Sequence, residues 1–163
     1  DSDHSIGSHF YEGQIEGVFT PRTLEDQLVS ARTAFQKAFE EMFGVSIHHL
    51  QSETVGLIAE LQPPIHYTEK ENRHVLDVLY KLNIETLDSK QIGALLKANG
   101  ENPDKLGSLK RLEKLYLTLY PEIDVATILA PFFVLYDMRI AHVHLHSAAE
   151  WRKRALRVSA YLT

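Results

Sequence analysis

The stretch TPRTLEDQLVSARTAFQKAFEEMFG, from Thr20 to Gly44, decides the fold class. Thr20 offers a capping hydroxyl, and Pro21 stands where a helix can start without its N–H, so a helix is expected to begin there. Leu24, Leu28, Ala31, Phe35, Ala38, Phe39 and Met42 then recur at three- and four-residue intervals. That spacing puts them on one apolar stripe of a long helix, and Gly44 supplies its stop.

The same grammar repeats downstream. Val55, Ile58, Ala59 and Leu61 mark a short helix after Ser52, closed by Pro63-Pro64. Thr68-Glu69-Lys70-Glu71 is a capping box ahead of a helix whose expected buried face is Val75, Leu76, Val78, Leu79 and Leu82. Asp88-Ser89-Lys90-Gln91 does the same for Ile92, Leu95 and Leu96, with Asn99-Gly100 as the stop. Leu106, Leu109, Leu112, Leu115, Tyr116 and Leu119 form a further amphipathic helix ending at Pro121. The apolar run from Ile123 to Leu135 encloses Pro131 and reads either as one kinked helix or as a helix restarting at the proline. Ser147-Ala148-Ala149-Glu150 is a third capping box, launching a last helix through Ala155, Leu156, Val158, Ala160 and Tyr161. The expected organisation is an irregular N-terminal arm over residues 1–19 and, over 20–163, an all-α, up-and-down bundle of about five to seven helices.

Composition bounds the function. With 163 residues the chain fits one domain, and a content of 44% hydrophobic and 24% charged residues is that of a protein with a packed core. It has no cysteine, which excludes disulfides, thiolate nucleophiles and cysteine-based zinc sites and makes a cytoplasmic setting the expectation. No run approaches the roughly 20 apolar residues that span a bilayer, so no membrane partner is expected. A chain opening on Asp1 rather than Met reads as an excised domain, a processed product or the remainder of a trimmed tag, which leaves room for a longer parent protein. The net charge of −5 argues against a surface wholly adapted to nucleic acid and leaves room for a local basic face.

One such face is visible. Residues 139–163 carry five Lys/Arg against one Glu, with Arg152, Lys153 and Arg154 following Trp151, an aromatic on which a base can stack. The plainer reading is a charged outer side on a terminal helix, with Trp151 in the core. Immediately upstream, Arg139 is followed by His142, His144 and His146. As a strand these histidines would share a face and suit a divalent metal; as a helix, Arg139, His142 and His146 lie within about 60° of one another and His144 points elsewhere. The helix is preferred because a lone strand between two helices has no partner, and no metal is assigned.

Leu135-Tyr136-Asp137-Met138-Arg139 with His144 resembles the Arg-x4-6-His motif of HEPN domains, small helical bundles of prokaryotic toxin, defence and RNA-processing proteins. The resemblance implies a homodimer in which Arg139 and His144, with His146 also within the allowed spacing, cleave RNA without metal or other cofactor. The local basic patch supports this reading, with His142, Trp151, Arg152, Lys153 and Arg154 expected to contact the RNA. The chemistry suits the residue types: a guanidinium stabilises charge on a phosphorane-like transition state, and an imidazole moves protons to and from the ribose hydroxyl and the leaving oxygen. Ile140 departs from the pattern, because active members carry a polar residue after the arginine. The alternative is a non-catalytic interaction or dimerisation module in which the same residues are structural.

Overall fold

The computed structural model describes residues 22–49 and 51–143, and among these there are helices and no strands. Six α-helices follow one another: α1 (Leu24–Phe43), α2 (Gln51–Glu60), α3 (Glu69–Tyr80), α4 (Ser89–Ala98), α5 (Ser108–Leu119) and α6 (Val125–Val143). A π-helical turn, Lys81–Glu85, prolongs α3. The all-helical bundle is therefore as expected; the 1–19 arm and the helix expected after Ser147 lie outside the described residues.

Local chemistry explains most boundaries. Thr68 and Glu71 form the reciprocal capping box at the start of α3, and Asp88 caps α4 by accepting from the N–H groups of Lys90 and Gln91. The start of α1 differs from the sequence expectation. Its cap is Thr23, whose hydroxyl accepts from Asp26 N–H at 3.1 Å, and the helix begins at Leu24 rather than at Pro21. Thr23 serves because Glu25 and Asp26 follow it in the first turn, where acids complement the positive end of the helix dipole. Gly44 closes α1 in the left-handed region at φ 69°, directing its N–H to Glu40 O. Pro131 lies inside α6, which runs through it unbroken, so of the two readings of this segment the single helix is the one observed.

Two clusters form the core. The larger joins Phe39, Ile47, Leu87, Ile92, Leu96, Leu112, Leu115, Val125 and Leu129; the smaller joins Leu61, Val78 and Leu82. Helix α4 packs on α5, α5 on α6, and α6 returns to lie along α3. The loop after α1 is tied to the loop before α4 by a short antiparallel bridge: His49 N–H donates to Thr86 O and Asp88 N–H to Ile47 O. Two expectations about burial need correction. On α1 only Phe39 is buried, whereas Leu24, Phe35 and Met42 are exposed; on α2 Val55 is exposed and Thr54 is buried in its place.

A close approach on the α4–α5 contact gives a test of this packing. Arg111 donates from Nε to Leu106 O at 2.9 Å and from Nη1 to Ser89 O at 2.6 Å, and a Cβ added at the buried Gly93 would stand 2.9 Å from that Nη1. Gly93→Ala gains about 1 kcal/mol of helix propensity but displaces a charge-assisted hydrogen bond worth about 1.5–3 kcal/mol. The expected net result is a loss of about 1 kcal/mol in urea unfolding, and Arg111→Lys in the Gly93→Ala background should cost little more.

Candidate functional site

Arg139 lies in the last described turns of α6, at the seam with α3. Its guanidinium carbon stands over the Tyr80 ring at 4.6 Å, and Nε is 3.8 Å from Asp77 Oδ1. Asp77 is also engaged by Lys81, whose Nζ lies 2.7 Å from its Oδ2. That hydrogen bond, donated to Asp77, raises the Lys81 pKa above the usual lysine value. Burial pushes the Tyr80 phenol up, and the Arg139 cation works against that shift. The seam is completed by Tyr136, its ring 6.2 Å from that of Tyr80. Among the described residues no acceptor meets the buried Arg139 Nε, and the side chain as a whole remains 28% exposed.

The helical reading of this segment holds as far as Val143, which includes the backbone of His142. His144, His146, Trp151, Arg152, Lys153 and Arg154 lie outside the described residues. Among the described residues no three His, Asp or Glu side chains gather as metal ligands, and no helix is long and apolar enough to cross a membrane.

No protein-family model, curated protein or solved structure matches this chain.

A second feature escaped the sequence reading. A cavity of about 560 Å³ separates α1 from α5 and α6, with Leu28 and Phe35 on one wall and Leu112, Leu129 and Phe132 on the other. Its described lining is mostly apolar, and Arg32, His48 and Asn83 gather at one end of it. This polar end is built on the π-helical turn. There Thr86 N–H reaches back to Lys81 O and Leu87 N–H to Ile84 O, while Leu82 O is met by side chains: Arg32 Nε at 2.9 Å and the Thr86 hydroxyl at 2.8 Å.

Because Thr86 Oγ1 donates its proton to Leu82 O, it accepts from both other neighbours. Arg32 Nη2 lies 3.4 Å away and His48 Nδ1 3.0 Å, so Nδ1 carries the imidazole proton. Burial, reinforced by the Arg32 cation, draws the His48 pKa down to about 4, leaving the ring neutral near pH 7. Burial also lowers the Arg32 pKa, and none of the ion pairs among the described residues includes Arg32. No sequence signal joins these groups, which lie 38 and 54 residues from Thr86 and look ordinary one at a time.

Proposed function

We propose that this bundle is a HEPN-like RNA-binding domain acting in the cytoplasm as a homodimer or as part of a larger defence or stress-response protein, with Arg139 and His144 as its metal-independent cleavage pair. The observation that supports it best is the state of Arg139. An aromatic face and one long carboxylate contact orient the guanidinium, while the side chain stays 28% exposed. An oriented, partly exposed guanidinium suits a phosphodiester, whose oxygens match its planar fork. His144 follows at the motif spacing, and the all-helical architecture agrees with the resemblance.

In this reading Arg139 binds the non-bridging phosphate oxygens and steadies the charge that grows on them. His144 takes the proton from the 2′-hydroxyl, and the partner's copy of the histidine returns one to the departing 5′-oxygen. The products are a 2′,3′-cyclic phosphate and a free 5′-hydroxyl. Arg139→Ala and His144→Ala are each expected to slow cleavage of a fluorescent single-stranded RNA in chelator by about a hundredfold or more. Arg139→Lys should recover only part of the rate, since an ammonium lacks the planar fork.

The contacts with Asp77 and Tyr80 favour a second reading, in which Arg139 is a clamp between α6 and α3 in a non-catalytic interaction module. That reading predicts no cleavage by the folded wild type, and an Arg139→Ala effect confined to stability.

A further inference from the structure

The cavity stands apart from the Arg139 seam and points to a different ligand. We propose that it binds a small amphiphile with one carboxylate and a medium-length saturated tail, the head on Arg32 and the tail between Leu28 and Phe35 on one side and Leu112, Leu129 and Phe132 on the other. Its volume of about 560 Å³ lies within the range of sites that enclose small organic molecules. Its walls offer a tail dispersion contacts and little else.

The head group follows from charge. A guanidinium partly withdrawn from water ordinarily has an anion beside it, and among the described residues Arg32 meets the Leu82 carbonyl and the Thr86 hydroxyl but no carboxylate. These engage Nε and one proton of Nη2, and no described residue takes Nη1 or the second Nη2 proton, a pair placed to receive two oxygens side by side. The neutral His48 adds no second cation, so the pole carries one positive charge and complements a monoanion better than a phosphate dianion. The site also accounts for the apolar stripe of α1. Phe35 and Met42 are exposed at helical spacing because they line this cavity and its mouth rather than a filled core.

Isothermal titration with octanoate, decanoate and dodecanoate, below their micellar concentrations, tests the proposal. One molecule per chain is expected, each two-carbon extension tightening binding about tenfold until the cavity is full. Decanoate should bind more tightly than decanol. Arg32→Gln should weaken decanoate at least about tenfold and leave decanol nearly unchanged. Because Arg32 also holds the π-helical turn, a second variant keeps the test independent of folding: Ala31→Trp, from an exposed position on α1, narrows the mouth and should weaken every member of the series. Equal affinity for decanoate and decanol overturns the proposal. So does the absence of saturable binding at millimolar decanoate, whether the protein sediments as a monomer or as a dimer with the cavity closed by a second copy, and so does undiminished binding to Ala31→Trp.

Discussion

Leu115→Ala is expected to lower the unfolding free energy by about 4 kcal/mol, enough to remove much of the stability of a domain of this size. Leu115 is fully buried at the centre of the larger cluster, and it does not line the cavity. Its removal leaves a new void in close-packed surroundings, so the lost transfer free energy and the cavity term add. Leu112, one turn earlier on α5, supplies the comparison. It is also buried, yet one side of it already faces the cavity, so it has fewer contacts to lose and Leu112→Ala should cost about 2 kcal/mol. Urea unfolding of the two variants measures the difference directly. Equal costs would mean that the space between α1 and α5 is filled in solution by other parts of the chain.

The second large effect is a dependence of stability on pH. His48 has a folded pKa of about 4 against an ordinary value of 6.5. Between those values the unfolded chain binds a proton that the folded one refuses, so stability is intact above about pH 6.5 and declines as pH falls toward 4. The slope is about 1.4 kcal/mol per pH unit, giving a loss of about 2 kcal/mol from pH 7 to pH 5. His48→Asn retains a neutral donor near Thr86 Oγ1 and removes the titration, so its unfolding free energy should change far less over the same interval. Parallel pH profiles for the wild type and the variant would show that the imidazole is not held neutral by burial.

The helices were legible where their determinants are local. The capping box of Thr68 and Glu71, the cap at Asp88, the stop at Gly44 and the halt before Pro121 all act within a turn of the residues they control. Burial was less legible because it depends on what arrives from elsewhere. The spacing of Leu28, Phe35 and Met42 identified a helix correctly, but no local rule says that a cavity rather than a filled core faces that stripe. The π-helical turn was hidden for the same reason: its distinguishing feature is a carbonyl at Leu82 served by Arg32 from another helix. Of the candidate cleavage site, the sequence offered the order of Arg139 and His144. The Asp77 and Tyr80 that orient the arginine come from α3, some sixty residues away in the chain.

Equilibrium binding of a labelled single-stranded RNA, followed by fluorescence anisotropy across a salt series, bears most directly on whether the Arg139 end of the bundle engages RNA. The wild type is expected to bind saturably at about 50 mM salt, weakening steadily as salt rises, with Arg139→Ala about tenfold weaker and its salt slope shallower by about one unit. No saturable binding by the wild type at low salt, or identical curves for the wild type and a folded Arg139→Ala protein, would contradict the reading.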